Sequence, residues 1–327
     1  MLKLPLSVVM IVRDEACRLP GALASLGAMS DLVVCDTGSG DGTLDLAAAV
    51  GARVFEVPWV GDFAVARSVA QRHARYDWIL RLDADERLHV ARGRPQEWLA
   101  WTIQRAEREE ADIVYVRRRY SPTNQHWFPR LFRADRFRWV SPLHERLVPV
   151  GERRRAIAAS GAVFLHRPAE RARGYADLAA RHLARTPGDP HLLYYRARSA
   201  WEEGRVGESL PALRAYLAGP TDYRFHRGES HRLLGLALAA TGETAEAIRH
   251  LVEGTLGDGM RAEAGADLVR LHLVRGERAE ARRWIGRIAG VAPPRERAPW
   301  GGWRRPYLLE APAWRTSTWR AAWRRAT

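Results

Sequence analysis

The sequence has almost no lysine and very little cysteine. Lys3 is the only lysine among its 327 residues, so nearly all of the positive charge is carried by arginine. The two cysteines, Cys17 and Cys35, lack the spacing of metal ligands and therefore do not make a zinc site. We expect both to be buried thiols of a protein in a reducing compartment.

The sequence also lacks long apolar runs. No stretch of about 18 apolar residues occurs, which predicts that no helix of the chain spans a membrane. The apolar start, residues 1–12, contains Pro5, lacks a small-residue cleavage site and runs directly into Arg13, Asp14 and Glu15. We interpret it as a buried first strand and not as a signal peptide. These features favour a cytoplasmic protein, with peripheral binding at the membrane surface as an alternative.

The charge of the chain is strongly positive, with a formal net charge of +14 at pH 7. A field of this sign attracts phosphates, nucleotides, anionic lipids or acidic peptides. Nucleic acid is a rival ligand, but the sequence contains no zinc-finger, helix-turn-helix or RNA-recognition signature. We therefore expect no nucleic-acid partner.

Short apolar runs alternate with amphipathic stretches in the first part of the chain. Predicted strands, rich in β-branched residues, cover residues 6–12, 32–36, 53–57, 78–83 and 112–116. Two predicted helices cover residues 44–50, which end before Gly51, and residues 62–74, which begin at an N-cap residue, Asp62. This alternation predicts an α/β fold with a parallel sheet that binds ligands at the carboxyl ends of its strands.

The second part, residues 174–290, shows no strand pattern and is rich in Ala, Leu and Arg at helical spacing. An internal repeat is visible, because residues 240–247 match residues 274–281 at an offset of 34 residues. Residues 201–204, with Tyr216, look like an earlier and more divergent copy. The period resembles that of tetratricopeptide (TPR) repeats, in which each helix pair buries its face on the next. We predict an all-α helical-repeat domain here.

The end of the chain is rich in tryptophan and arginine. Its tryptophans are Trp300, Trp303, Trp314, Trp319 and Trp323. The stretch from Thr316 onward has the pattern of a short basic amphipathic helix. Either the tryptophans pack on one of the domains, or the tail contacts a membrane surface or an acceptor. We divide the chain into residues 1–170, 171–291 and 292–327.

Acidic side chains stand at the ends of two predicted strands. Asp83-Ala84-Asp85 follows one of them, and two carboxylates at a strand exit can share one Mg²⁺ or Mn²⁺ with water and substrate phosphates. Asp36 ends another strand and precedes a loop of small residues and a helix. Such a loop lets a nucleotide approach the backbone closely. The alternative is an ordinary turn in which Asp41 or Thr43 caps the helix.

Taken in order, these segments resemble the inverting family 2 glycosyltransferases with a GT-A (Rossmann-like) fold. The matching segments are residues 7–15, 36–43, 62–67, 77–80, 83–86 and 128–133, followed by His144 and Glu145. The resemblance covers about residues 5–150 and implies a nucleotide-sugar-binding catalytic domain. The branch that this chain most resembles carries helical repeats after that domain. It includes enzymes that glycosylate peptides and enzymes of surface-glycan assembly.

The resemblance implies a role for each matching position. It implies that Asp36 contacts the nucleoside, that Arg67 lies near the base and phosphates, and that Glu15 lies near the donor pocket. The residues expected to bind the nucleotide sugar are Val12, Glu15, Asp36, Arg67, Asp83, Ala84, Asp85 and Arg130. The expected ligands of a Mn²⁺ or Mg²⁺ ion are Asp85, Asp83 and His144.

Transfer with inversion needs a carboxylate that takes the proton of the acceptor, and we assign this role to Glu145. The alternative for Glu145 and its neighbour His144 is a structural loop anchor. Arg130 either binds phosphate or lies at a strand edge. His126 and Trp127 are expected to line the acceptor pocket, with a core position as the alternative for Trp127.

Together these features predict a metal-dependent hexosyltransferase that moves a sugar from a nucleotide diphosphate, with UDP as the first expectation, to a peptide, glycan or lipid-linked acceptor. One rival is a nucleotidyltransferase, which residues 9–14 disfavour because they contain neither glycine nor lysine. The other is a catalytically silent helical-repeat scaffold, which intact Asp36, Asp83 and Asp85 disfavour. Homodimerisation through the helical repeats is a further expectation.

Overall fold

The structure, a computed structural model, describes residues 4–120, 125–151, 154–167, 174–220, 224–256 and 261–289. The chain divides into two compact units between residues 171 and 172. Among the described residues, the first unit contains a mixed sheet with helices and the second contains helices alone. This architecture confirms the predicted fold class, an α/β GT-A-like domain followed by an all-α region. The tail, residues 292–327, and its tryptophans lie outside the described residues.

The strands of the first unit form one large sheet and one small one. They are β1 (Leu6–Val12), β2 (Asp31–Asp36), β3 (Arg53–Glu56), β4 (Trp78–Arg81), β5 (Glu86–Val90), β6 (Ile113–Arg119), β7 (Gln125–Arg133), β8 (Phe137–Val140), β9 (Arg146–Pro149) and β10 (Ala156–His166). The large sheet has the order β3-β2-β1-β4-β7-β6-β10-β5, and β8 pairs with β9. Strands β1 to β4 run parallel, so their carboxyl ends meet at one edge of the sheet. Strand β7 runs antiparallel to its neighbours β4 and β6.

The parallel strands form where the sequence is apolar on both faces. In β1 every side chain except that of Ile11 is buried, as expected for a strand covered on both sides. The polar exception inside it, Ser7, donates a 2.6 Å hydrogen bond to Asp31 at the start of β2. The five predicted strands are confirmed as elements, although β4 ends at Arg81 and β6 continues to Arg119.

Helices cover this sheet. They are α1 (Leu19–Ala24), α2 (Thr43–Ala49), α3 (Phe63–Arg72) and α4 (Pro95–Arg108). Asp62 caps α3 as predicted, because its side chain accepts a 2.9 Å hydrogen bond from the backbone N–H of Val65. At the start of α2, Asp41 accepts a 3.1 Å hydrogen bond from the backbone N–H of Thr43.

The second unit is a succession of helices that pack on their neighbours along the chain. They are α5 (Tyr175–Leu183), α6 (Pro190–Glu202), α7 (Val206–Ala218), α8 (Arg224–Thr241), α9 (Thr244–Leu256), α10 (Arg261–Val274) and α11 (Arg278–Ala289). Both copies of the sequence repeat span the end of one helix, a turn and the start of the next. Gly242 and Gly276 sit in these turns with φ values of 90° and 74°, a conformation that favours glycine.

The structure bears on two expectations drawn from composition, the absence of membrane-spanning helices and the burial of both cysteines. Among the described helices, none is long and apolar enough to cross a membrane. The expectation of two buried thiols is only half correct, because Cys35 is buried in β2 whereas Cys17 is exposed. Cys17 lies in the turn that precedes α1, where its side chain does not face the core.

Candidate functional site

The carboxyl ends of three neighbouring strands bring most of the predicted site residues to one edge of the sheet. Val12 ends β1 and pairs with Asp36, which ends β2. On the other side of β1, strand β4 ends at Arg81, directly before Leu82 and Asp83. This is the edge at which open parallel sheets bind ligands.

The Asp36 carboxylate organises the loop that follows its own strand. It accepts hydrogen bonds of 2.9 Å and 2.8 Å from the backbone N–H groups of Gly38 and Ser39, and a further one from the Ser39 hydroxyl. The neighbouring Thr37 donates from its backbone N–H to the carbonyl of Val12 at 2.9 Å. Asp36 is 2% exposed, so this buried carboxylate holds the small-residue loop in place.

Glu15 is fixed against the same loop. Its backbone N–H donates to Thr43 Oγ1 at 2.8 Å, and its carboxylate accepts from Arg18 Nε at 2.7 Å. Burial raises the pKa of Glu15; Arg18 opposes this rise, and the nearby carboxylates of Asp85 and Asp83 add to it. Glu15 therefore belongs to an acidic group around the Asp83-Ala84-Asp85 segment.

Two arginines and two carboxylates form a closed ion-pair square beside this edge. Arg67 on α3 donates from Nη2 to Asp83 Oδ1, and from Nε to Glu145 Oε1 at 3.1 Å. Arg81 donates from Nη2 to Asp83 Oδ2 at 3.2 Å and to the same Glu145 oxygen at 3.1 Å. Each cation thus contacts both anions. We refer to Arg67, Arg81, Asp83 and Glu145 as the ion-pair square.

The ion-pair square is buried, and its charges stabilise one another. The side chains of Arg67 and Arg81 are 6% and 9% exposed, and the indole of Trp139 lies 5.7 Å and 5.3 Å from their guanidinium carbons. Burial disfavours the charged form of Asp83, yet Arg67 and Arg81 outweigh it and hold its pKa well below the usual range. Both Asp83 oxygens are already occupied by arginines.

A second buried ion pair, between Glu86 and Arg130, holds the backbone of the acidic segment. Glu86 at the start of β5 accepts from Arg130 Nη1 at 2.7 Å and from Arg130 Nη2, in a two-pronged contact. Glu86 also accepts from the backbone N–H of Asp83 at 3.1 Å. Arg118 Nε lies 2.8 Å from Glu86 Oε1. Glu86 therefore ties the Asp83 backbone to β6 and β7.

Arg130 does not lie at the surface of the site, contrary to the expectation that it binds the donor. Its side chain is fully buried, and both terminal nitrogens are engaged by Glu86. The strand-edge alternative does not describe it either, since β7 is interior to the sheet. Arg130 is a core partner of Glu86.

Asp85 faces a different set of side chains from Asp83. Its Oδ1 lies 3.4 Å from Nδ1 of His166, the last residue of β10. That imidazole nitrogen also lies 2.8 Å from Arg118 Nη2. The ring of Tyr120 packs edge-on against His166 and is tilted against His126, with centroids 4.6 Å and 5.1 Å apart.

The segment that carries Glu145 has an unusual backbone. Ser141 and His144 adopt φ values of 75° and 50°, in the left-handed region that non-glycine residues rarely occupy. The carbonyl of Pro142 accepts a 2.9 Å hydrogen bond from the backbone N–H of Phe63, which joins this segment to α3. In this backbone conformation Glu145 reaches the two arginines, whereas His144 is exposed.

Among the described residues, no three His, Cys, Asp or Glu side chains are grouped so as to hold a metal ion. The predicted set of Asp83, Asp85 and His144 is therefore not assembled as one metal centre.

Several residues of the site were not predicted from the sequence. They are Arg81, Glu86, Arg118, Trp139 and His166. The sequence carried one signal for two of these residues. Arg81 and Glu86 are charged residues on either side of the acidic segment, and a charged residue in an apolar strand needs a buried partner. His166 carries no local signal, since it meets Asp85 only through the pairing of β10 with β5.

Residues 7–171 match the family model of glycosyl transferase family 2. Because this match spans just over half of the chain's 327 residues, the chain belongs to that family.

Curated relatives are similar over parts of the chain. A TPR repeat-containing protein of Synechococcus elongatus is 40% identical over 148 residues, which are 42% of this chain and 34% of that protein. An uncharacterised glycosyltransferase of Rickettsia bellii is 37% identical over 25% of this chain and 28% of its own length. The lipopolysaccharide core biosynthesis glycosyltransferase LpsC of Rhizobium meliloti is 32% identical over 46% of this chain and 59% of that protein. The chain thus spans about a third or less of the first two relatives.

Solved structures show more distant likeness. Residues 1–349 of Staphylococcus aureus TarS are 12% identical, with a TM-score of 0.44 and coverage of 85% of this chain and 89% of that one. Glucosyl-3-phosphoglycerate synthase of Mycobacterium tuberculosis, bound to Mn²⁺, UDP and product, is 23% identical, with a TM-score of 0.28 and coverage of 35% and 44%. Neither likeness bears on the reaction of this chain.

Proposed function

We propose that this chain transfers a glycosyl group from a nucleotide diphosphate sugar, with UDP as the first nucleotide to test, to a nucleophilic acceptor with inversion at the anomeric carbon. The observation that carries the proposal is the ion-pair square beside Asp36 and Asp85 at the carboxyl edge of β1, β2 and β4. Membership of glycosyl transferase family 2 supports the same class of reaction.

The donor would lie along this edge. The small-residue loop held by Asp36 allows close approach to a nucleoside, with Val12 and Glu15 beside it. Arg67 and Arg81 bring positive charge to this edge, but their hydrogen bonds go to Asp83 and Glu145, so we propose that they act on the diphosphate through their charge and not through a bidentate contact. Arg130 would support this arrangement through Glu86 without contacting the donor.

A divalent cation fits one pair of side chains in this site. The Asp85 carboxylate and the His166 imidazole are ligands that Mn²⁺ accepts, and their nearest atoms lie 3.4 Å apart. To bind the cation, His166 Nδ1 would release Arg118 Nη2, which lies 2.8 Å away. A cation there would use water and donor phosphates for its remaining positions, and it would stabilise the negative charge of the departing diphosphate. Asp83 is better assigned to the arginines, which occupy both of its oxygens.

Glu145 is the residue that we assign to proton removal. Its Oε1 accepts from both arginines, whereas the described residues donate no hydrogen bond to its Oε2. In the reaction the acceptor heteroatom forms a bond to the anomeric carbon and its proton passes to Glu145. The bond from that carbon to the diphosphate oxygen breaks, and the electron pair leaves with the nucleoside diphosphate.

The acceptor is proposed to be a peptide, a glycan or a lipid-linked saccharide. The helical unit favours a peptide, because stacked helix pairs form extended concave surfaces that suit extended chains. His126 is linked to Asp85 through the rings of Tyr120 and His166, and it is proposed to face the acceptor.

The test is donor hydrolysis by the purified full chain with Mn²⁺ and a panel of nucleotide sugars, measured as release of the nucleoside diphosphate. We expect slow release from one donor and its loss in Asp85→Ala. The matched control Asp135→Ala, whose side chain is 72% exposed, should keep the wild-type rate. A donor at about 100 times its dissociation constant should also raise the unfolding free energy by about 2.7 kcal/mol. No release and no stabilisation with any donor would favour the scaffold function instead.

A further inference from the structure

A small cavity lies behind the ion-pair square. Its volume is about 10 Å³, room for the centre of one water-sized sphere. Apolar side chains form part of its wall, and the polar part comes from Arg67, Gln71 and Arg81. Arg67 and Gln71 are one turn apart on α3, so they present their side chains to the same side of the helix.

Three residues that line this cavity each carry one buried polar atom without a partner among the described residues. These atoms are Arg67 Nη1, Arg81 Nε and Gln71 Oε1. Such atoms are rare in folded proteins, because a buried donor or acceptor without a hydrogen bond loses its solvation with nothing in return. Three of them on residues that line one cavity point to a common ligand.

The orientation of the Gln71 amide follows from its other contacts. Gln71 Nε2 donates hydrogen bonds of 2.7 Å to the Ala134 carbonyl and 2.9 Å to the Phe137 carbonyl. A flipped amide would place its oxygen against two carbonyl oxygens, which cannot donate. Gln71 Oε1 therefore points away from these carbonyls and is an acceptor that needs a donor.

The chemistry of these atoms identifies the ligand. Two guanidinium N–H groups require a ligand with two lone pairs, and one amide oxygen requires a ligand with an N–H or O–H donor. An anion lacks the donor and a metal cation lacks the lone pairs. A water molecule has both and fits the volume, and three hydrogen bonds are usual for a buried water.

We propose that one buried water, bound to Gln71 Oε1, Arg67 Nη1 and Arg81 Nε, fixes both guanidinium groups of the ion-pair square, and that Gln71 is a positioning residue for them. The water holds the inner side of each arginine, while Asp83, Glu145 and the Trp139 ring hold the rest. The positioning role rests on the proposed function, in which these arginines bring positive charge close to the diphosphate. The water site itself does not.

The first experiment is a crystal structure of the full chain at about 1.5 Å resolution, with and without UDP. We expect a water peak within hydrogen-bond distance of all three atoms, and its loss in Gln71→Met, which keeps the side-chain length without polar atoms. An empty map at this position, with other buried waters visible, would overturn the water site whether or not the chain is a transferase.

The second experiment measures UDP affinity by titration calorimetry, well below the unfolding temperature. Gln71→Met should weaken UDP binding about tenfold, the effect of one hydrogen bond to a charged group. The exposed Gln104→Met on α4 is the control. An unchanged UDP affinity in Gln71→Met would show that Gln71 does not position the arginines. If the wild type bound no UDP, the proposed function would fail while the water peak still decided the site.

Discussion

Arg67 Nε donates a 3.1 Å hydrogen bond to Glu145 Oε1 across 78 positions of the sequence. This contact joins α3 to the segment between β8 and β9. The same guanidinium group also contacts Asp83, so it lies between Asp83 and the proposed base, Glu145. Because Arg81 contacts the same two carboxylates, the proposed base, the acidic segment and the two arginines form one electrostatic unit. A change at any of its four members should therefore affect the others.

The coupling between Arg67 and Glu145 can be measured by a double-mutant cycle. We expect Arg67→Met and Glu145→Gln to show a coupling free energy of about 1–3 kcal/mol in urea unfolding, because both groups are buried and in direct contact. The control cycle uses Arg94 and Glu97, which are 79% and 52% exposed and should couple by less than about 1 kcal/mol. Additive effects at Arg67 and Glu145 would contradict a shared electrostatic unit.

Glu145→Gln should separate catalysis from donor binding. Loss of a general base typically costs about 10²–10⁴-fold in rate. We expect a fall of this size in turnover, while UDP binds at least as tightly as to wild type because one negative charge is gone. Steady-state kinetics and calorimetry check the two parts, with the exposed Glu110→Gln as a control. An unchanged turnover would leave Glu145 as an anchor for the arginines only.

A site residue could be predicted from the sequence where a local pattern, such as the end of an apolar strand, places it in the site. Asp36 and Asp83 follow apolar runs, and parallel strands bring their carboxyl ends together, so their proximity could be predicted. The alternation of apolar runs with amphipathic stretches predicted the α/β fold and the first strands. Strands β5 and β7 to β10 were not predicted, since they are short or carry charged, polar and small residues in place of apolar runs.

The partners of these residues depend on long-range pairing that no local pattern encodes. Arg130 was expected to bind the donor because it follows a family motif, yet it meets Glu86 in the core, 44 positions away. Between β6 and β7 the register shifts after Val114, which changes the face that later residues present. Such a shift leaves no clear trace in the sequence. Hence the direction of Arg130 could not be derived.

The buried contact between Glu86 and Arg130 makes a strong prediction about stability. Without Arg130 the buried Glu86 keeps Arg118 Nε at 2.8 Å but loses its two-pronged contact, so Arg130→Met should cost about 3 kcal/mol of unfolding free energy. The double variant Arg130→Met with Glu86→Leu should be less destabilised than the single one. Chemical denaturation measures both, and the exposed pair Arg155 and Glu110 should lose less than about 1 kcal/mol. A double variant that is worse than the single one would contradict this account.

The helical unit should lose stability in mild acid because of His231. Its Nδ1 lies 2.9 Å from Nδ1 of His250, and burial, together with the charges of His250 and Arg227, lowers the pKa of His231 to about 4. The unfolded chain, with an ordinary histidine pKa near 6.5, binds this proton first. The contribution is therefore fully present above pH 6.5 and is lost as the pH falls towards 4.

We expect a loss of about 1–2 kcal/mol over this interval, reduced from the full value because the ring is partly exposed. Unfolding measured at several pH values checks it. In His231→Gln the slope between pH 6.5 and 4 should become shallower. The neighbouring Ser230→Ala should shift the curve by a constant amount without changing its slope. A His231→Gln slope equal to that of wild type would contradict the assignment.

Asp85 and His166 should govern the binding of Mn²⁺ together with UDP. Their nearest atoms lie 3.4 Å apart, and a cation bound there would replace the contact of His166 Nδ1 with Arg118 Nη2, whereas both oxygens of Asp83 are held by arginines of the ion-pair square. We expect Asp85→Asn and His166→Asn each to weaken Mn²⁺ binding in the presence of UDP by at least about tenfold. Electron paramagnetic resonance of free Mn²⁺ measures this affinity without any turnover, and Asp135→Asn is the exposed control.

His144→Asn, which tests the ligand expected from the sequence, should leave the Mn²⁺ affinity within about twofold of wild type. If His144→Asn weakened Mn²⁺ binding and His166→Asn did not, the cation would belong to the Glu145 segment, and the proposed base would then lie beside the metal.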